Sequence, residues 1–175
     1  INQWENNMKK QHQSKHQNEE EIIQAALTIL EGRINYHVDK PVLGSPQDSK
    51  NYVQLKLADK PHEIFACLFL DNRHRIIQYE ELFRVTIDGC SVYPREIVKT
   101  ALKHNAAAVI FAHNHPSGSI NPSKDDISFT KSLMMATKAT GIRFFDHIII
   151  GNNLYFSFAD EGLIEEYEKK AIREF

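Results

Sequence analysis

The stretch AAAVIFAHNHPSGSINPSKDD, residues 106–126, decides how this chain is read. Its first part, Ala106–Ala112, is an unbroken apolar run that reads as a strand buried in a sheet. At its end the character changes to His113-Asn114-His115-Pro116. Residues two apart in an extended chain point the same way, so His113 and His115 can share one ion while Asn114 points elsewhere. Pro116 confines the backbone at His115 to extended conformations, and Gly118 lets the loop turn back. Ser123 is a natural N-cap, which makes Lys124, Asp125 and Asp126 the first three residues of the next helix. The third residue of a capping box reaches back over the cap, so Asp126 faces the histidines better than Asp125 does.

Two neutral imidazoles and one carboxylate leave the fourth position of a tetrahedral zinc open for water, which is the arrangement of a catalytic site and not of a closed structural one. Zinc lowers the pKa of such a water to about 7, making it a nucleophile at neutral pH. Each residue taken singly has an ordinary explanation: His-x-His arises by chance in a chain with nine histidines, and Ser123 and Asp126 serve many helices as plain caps. The conjunction of HxHPSG with PSxxD carries the metal reading.

Working outward, Pro94 opens a helix with Ile97, Val98, Ala101 and Leu102 on one face, ending near Asn105. Glu63–Leu70 begins a second buried strand, Asp71-Asn72-Arg73 is a turn, and Arg75–Tyr79 with Leu82–Ile87 supplies returning strands. Ser45-Pro46 caps a further helix that stops near Asp59-Lys60-Pro61, with Tyr52, Val53, Leu55 and Leu57 facing the core. Downstream, the Ser123 helix runs to about Thr140 and closes at Gly141. Arg143–Ile150 and Leu154–Phe158 are strands around Gly151-Asn152-Asn153, and Leu163–Phe175 is a closing helix. Residues 1–20 are polar, and a helix over Glu19–Leu30 carries a stripe of Ile22, Ile23, Ala26, Leu27 and Leu30, ended by Gly32. Alternating strands and helices predict an α/β or α+β sandwich with helices covering a mixed sheet, as a helical extension over 1–45 and a metal-binding domain over 46–175.

With 175 residues and 42% hydrophobic content, the chain supports one core and not two large domains. The longest apolar runs, Ile64–Leu70 and Ala106–Ala112, fall far short of the roughly 20 residues of a membrane span. The first 20 residues hold no signal-peptide core, so a cytoplasmic location is expected. Cys67, inside an apolar run, and Cys90, beside a glycine, form neither a disulfide framework nor a metal site and read as reduced thiols. A formal charge of −2 argues against a dedicated nucleic-acid coat protein, and the stripe Arg95, Lys99, Lys103, His104 reads as a solvated face.

The segment His113–Asp126 resembles the JAMM (MPN+) motif: His-x-His, seven residues, Ser, two residues, Asp. Its HNHPSG and PS form, with PREIVK at 94–99 and FFDHIIIG at 144–151, is similar to the RadC family of bacterial JAMM-domain proteins over Pro46–Ile164. The resemblance implies a cytidine-deaminase-like α-β-α sandwich with a mixed sheet. It implies one zinc ion on His113, His115 and Asp126, and Ser123 as hydrogen-bond donor to a tetrahedral intermediate. It further places a catalytic glutamate at the start of an earlier buried strand; Glu63 matches that position, with Glu80 and Glu81 near another strand end as alternatives. His147 reads as satisfied in the core or as orienting a ligand, and His104 as a helix C-terminal residue favoured by the dipole.

The activity implied is hydrolysis of a peptide or isopeptide bond, the partner a protein or peptide substrate, with the N-terminal helices a candidate homodimer contact. The Gly-rich helix-hairpin-helix pattern that many RadC proteins carry is absent from residues 1–45, so a DNA-repair role is not carried over. Two other readings stand beside the hydrolase. One is an accessory factor in DNA transactions or mobile-element biology, weakly associated with nucleic acid. The other is a metal nuclease, prompted by the literal HNH at 113–115, although in HNH nucleases those letters are scattered along a motif. Zinc deamination would need a Pro-Cys-x-x-Cys that does not follow.

Overall fold

The computed structural model describes residues 19–29, 43–84 and 93–173. Residues 19–29 are helical (α1). Then follow α2 (Pro46–Leu57), β1 (Ile64–Leu70), β2 (Ile76–Arg84), α3 (Pro94–Lys103), β3 (Ala108–Asn114), α4 (Lys124–Ala139), β4 (Arg143–Gly151), β5 (Leu154–Ser157) and α5 (Leu163–Arg173). The strands form one sheet in the order β2-β1-β3-β4-β5. Only β3 and β4 run parallel, joined through α4 as a parallel pair requires; the other neighbours are antiparallel.

The sheet divides the core in two because successive side chains leave a strand on opposite faces. Ile64, Ala66, Leu68 and Leu70 of β1, with Ile110, Ala112, Ile148 and Ile150, pack under Tyr52, Val53 and Leu57 of α2 and Leu27 of α1. Phe65, Cys67 and Phe69, with Val109, Phe111 and Ile149, pack under Ile97 of α3, Leu133 of α4 and Ile164 of α5. Each fully buried Val, Leu, Ile or Phe among them contributes about 1.5–3 kcal/mol relative to leaving it exposed. This is the expected α-β-α sandwich around a mixed sheet. Every residue of β1 and β3 is buried, which explains why both read as wholly apolar runs.

Two differences from the sequence reading have simple causes. The returning segment is one strand, not two, and carries Glu80 and Glu81 within it. Strand β2 lies at the sheet edge, where one side is open to solvent, and irregularities opposite Phe65/Ala66 and Phe69/Leu70 let the polar pair fit. In α1, Leu27 is buried and Ile23 packs beside it, but Ile22 is exposed. Residues 1–18 and 30–42 of the predicted extension, with Gly32, and Cys90 and the end of the second returning strand lie outside the described residues. Cys67 is buried, and burial followed by the Glu80 charge pushes its thiol well up, consistent with an inert thiol. No helix among the described residues is long and apolar enough to cross a membrane.

The β4–β5 connection is a two-residue turn, Asn152-Asn153, with φ of +46° and +61°. Both central residues of such a hairpin turn need positive φ, which asparagine tolerates.

Candidate metal centre

The sheet delivers His113 and His115 to one end of β3. His113 pairs with Phe65 of β1 on one side and Ile149 of β4 on the other, and is 2% exposed. The ladder runs one step past the strand, since the His115 amide donates to the Ile150 carbonyl at 2.8 Å. Beyond it the loop doubles back, and the Ser119 carbonyl accepts a 2.8 Å hydrogen bond from His115 Nδ1. A carbonyl can only accept, so Nδ1 of His115 holds the proton and Nε2 the lone pair.

That loop is clasped by the β4–β5 hairpin. Gly118 has φ of +81°, and a Cβ there would fall 2.2 Å from Asn152 Nδ2. A Cβ on Gly151 would fall 2.6 Å from the Gly118 carbonyl oxygen. The two glycines allow an approach that no other residue permits.

Helix α4 brings the carboxylate. Ser123 is its N-cap with an extended backbone, and the capping box forms in full: Asp126 N–H donates to Ser123 Oγ at 3.1 Å, and Ser123 N–H to Asp126 Oδ2 at 2.7 Å. The Ser123 hydroxyl also donates to Oδ2, at 2.6 Å. With Oδ2 held from the helix side, Oδ1 lies 3.2 Å from His113 Nε2, and Oδ2 lies 3.6 Å from His115 Nε2. Burial raises the Asp126 pKa, but hydrogen bonding and charge from His113, then the Ser123 hydroxyl and amide, outweigh it and hold the group well below the usual carboxylate range.

The two Nε2 atoms face each other at 2.9 Å. Around a tetrahedral zinc with ligand bonds of about 2.0–2.1 Å, neighbouring donor atoms stand about 3.3 Å apart. The two Nε2 atoms at 2.9 Å lie near that spacing, and Asp126 faces them through both oxygens, Oδ1 at 3.2 Å from His113 and Oδ2 at 3.6 Å from His115. Two imidazole nitrogens and a carboxylate of the residue types zinc prefers thus converge where a small divalent cation fits.

Glu63 precedes β1 and lies across from these residues. A carboxylate oxygen of Glu63 and one nitrogen each of His113 and His115 all fall within 4.8 Å of one another. Glu80 and Glu81 are engaged elsewhere, Glu80 with His104 at the C-terminus of α3, and Glu81 with Lys60 at 2.7 Å. The structure therefore brings Glu63, and neither alternative, to the histidines. His104 also packs on the Phe69 ring at 4.9 Å.

Asn114, whose side chain leaves the opposite face, fixes the segment carrying Glu63. It is buried; its Oδ1 accepts from Ile64 N–H at 2.8 Å, and its Nδ2 donates to the Lys60 and His62 carbonyls at 3.2 and 3.0 Å. The sequence reading gave Asn114 no role, although its place between two histidines at a strand end points it at the neighbouring strand. A cleft of about 450 Å³ lined by Lys60, Pro61, His115, Pro116 and Asn152 opens beside the site. A more apolar cavity of about 580 Å³, near Met134, Phe144 and Tyr167, shares no residue with it.

Behind His113 stands His147 of β4, fully buried, with Nε2 2.9 Å from His113 Nδ1 and Nδ1 2.6 Å from Thr130 Oγ1. Burial, then the His113 charge, keeps the His147 pKa well below the usual imidazole range. Asp146 anchors the strand beside it, its carboxylate accepting from the His147 and Ala159 amides and the Ser157 hydroxyl at 2.7, 2.9 and 2.6 Å. Thr130 was missed, yet it lies one helical turn beyond Asp126 and so on the same face of α4. The basic stripe of α3 is interrupted by carboxylates: Arg95 and Lys99 both contact Glu96 at 3.4 and 3.8 Å.

Residues 43–163 match the RadC-like JAB domain. The chain is similar to UPF0758 proteins from Marinobacter nauticus (57% identical over 122 residues, 70% of this chain and 54% of the relative) and Thioalkalivibrio sulfidiphilus (55% over 122 residues, with the same coverage). A UPF0758 protein of Methylibium petroleiphilum is 52% identical over 143 residues, 82% of this chain and 63% of the relative. The chain thus spans roughly half to two thirds of the length of these relatives. With the family model covering most of the chain and the site assembled on the matched residues, this protein belongs to the RadC-like JAB domain family.

Proposed function

We propose that this chain is a zinc-dependent hydrolase acting on peptide or isopeptide bonds, with His113, His115 and Asp126 as ligands and Glu63 as the proton carrier. The observation that carries the reading is the convergence of two Nε2 atoms and a carboxylate within 2.9–3.6 Å, with the proton of His115 committed on the far side of its ring. Electron-pair donors packed this closely repel one another unless a metal ion or a shared proton lies among them.

When bound, zinc polarises a carbonyl and brings the pKa of a water to about 7. Three protein ligands leave one coordination position for that chemistry. The Glu63 carboxylate, within reach of the same point, takes the proton of the attacking water and returns it to the departing amine; such proton transfer contributes about 10²–10⁴ in rate. Asn114 keeps Glu63 from drifting by tying down the residues on both sides of it. Ser123 holds Asp126 through its hydroxyl; donating to an oxyanion requires that hydroxyl to turn from Oδ2 to the substrate.

The test is metal content beside turnover. Purified wild type should carry zinc by mass spectrometry and cleave members of a fluorogenic peptide and isopeptide library. Glu63→Gln should keep the zinc and lose cleavage. Absence of zinc from wild type loaded with the metal and then desalted would overturn the reading. So would a Glu63→Gln variant that cleaves as fast as wild type.

A further inference from the structure

We propose that Thr130 and His147 are positioning residues that decide which nitrogen of His113 is left to bind metal, through a chain of one-way hydrogen bonds that begins at a backbone carbonyl. The proposal rests on the metal reading above and extends it to two residues that touch no ligand position themselves.

The direction of the chain is set at its far end. Thr130 Oγ1 lies 2.6 Å from the main-chain carbonyl oxygen of Asp126, which can only accept, so the single hydroxyl proton of Thr130 is used there. The same Oγ1 lies 2.6 Å from His147 Nδ1. Its proton already committed, the oxygen accepts, and Nδ1 of His147 must be the protonated nitrogen. The His147 ring is fully buried, stacked on Phe158 at 5.2 Å and met edge-on by Phe65 at 5.6 Å, so it can neither rotate nor reach water.

A neutral imidazole with its proton on Nδ1 carries its lone pair on Nε2. His147 Nε2 lies 2.9 Å from His113 Nδ1, so His113 Nδ1 is the donor. His113 Nε2 is then the atom that offers electrons, and it faces His115 Nε2 and Asp126 Oδ1.

The chain returns to its origin. It starts at the main chain of Asp126 and ends at His113 Nε2, 3.2 Å from the side chain of that same aspartate. One route therefore fixes both the ring of a β3 ligand and the helix turn of an α4 ligand. His115 reaches the same state by one bond to Ser119. Remove the Thr130 hydroxyl and His147 is free to protonate Nε2 instead. It would then donate to His113 Nδ1 and drive the His113 proton onto the metal-facing nitrogen, where it blocks ligation.

The experiment has two independent readouts. Long-range ¹H–¹⁵N correlation on histidine-labelled, zinc-loaded protein reads the protonated nitrogen of each ring. Competition with a chromophoric chelator reads zinc affinity. Wild type should show His113 and His147 both protonated on Nδ1. Thr130→Val, close in shape but unable to bond, should bind zinc about 10–100-fold more weakly and show His113 with its proton partly on Nε2. Thr130→Ser, which keeps the hydroxyl, should restore both.

Unchanged zinc affinity in Thr130→Val overturns the proposal, as does wild-type His113 or His147 protonated on Nε2. Should Thr130→Val fail to fold, the wild-type ring shifts decide the question alone. Wild type that binds no zinc overturns the metal reading instead, and the ring shifts of the metal-free protein still judge the bond order in the chain.

Discussion

Two helices of this protein begin with the same four-residue device and come to different ends. In α2, Ser45 and Asp48 form a full capping box, Ser45 N–H donating to Asp48 Oδ2 at 2.8 Å and Asp48 N–H to Ser45 Oγ at 3.3 Å. In α4, Ser123 and Asp126 do the same at 2.7 and 3.1 Å. Asp48 and Asp126 are both partly buried, but only Asp126, its side chain 17% exposed, faces two imidazoles. The box is thus a local answer to unpaired amides at a helix start, and it becomes a ligand position only where a strand end supplies the other donors. Ser123 adds a second bond, hydroxyl to Oδ2, while Oδ1 is the oxygen turned to His113.

The largest break in this comparison should come from removing each carboxylate. Asp126→Ala should reduce zinc from about one ion per chain to background, while Asp48→Ala should leave metal content unchanged; inductively coupled plasma mass spectrometry on both decides it. Next in size, Glu63→Gln should lower turnover by about 10²–10⁴ with zinc retained, read as peptide cleavage per bound metal.

Zinc at about 100 times its Kd should stabilise the wild type by about 2.7 kcal/mol, and the Asp48→Ala variant equally. Thermal unfolding of Asp126→Ala should show no such increment. Asn114→Ala should cost about 1–3 kcal/mol by leaving buried groups of Lys60, His62 and Ile64 unpaired, with faster hydrogen exchange at the Ile64 amide. The smallest effect belongs to the cap serines. Ser45→Ala should cost about 0.5–2 kcal/mol in denaturant unfolding and nothing in zinc affinity, whereas Ser123→Ala should lower both.

Which of these residues the sequence discloses depends on how far apart the partners lie along the chain. His113, His115, Ser123 and Asp126 fall within one strand-loop-helix unit, where alternation and capping rules act over a few residues, and all four are found where local rules put them. Glu63 needed the register of two antiparallel strands, Phe65 opposite His113, which no local rule supplies; from sequence alone it stood beside Glu80 and Glu81. His147 sits opposite Phe111 in a parallel pairing reached only through α4, so its bond to His113 is a property of the sheet. The Glu80-Glu81 pair looked like a break between strands because interior strands exclude such residues, and an edge strand does not.

The contact of Gly118 with the β4–β5 turn carries a last consequence. Gly151 lets its main chain press on that of Gly118 and Ser119, Gly118 makes room for the Asn152 side chain, and the loop so seated presents the Ser119 carbonyl to His115. A scan of the chain for lost zinc binding would therefore score both glycines among the ligands, although neither has a side chain to offer. At these two places the candidate metal centre depends on atoms that are missing, and an added methyl group would have to displace the neighbouring chain.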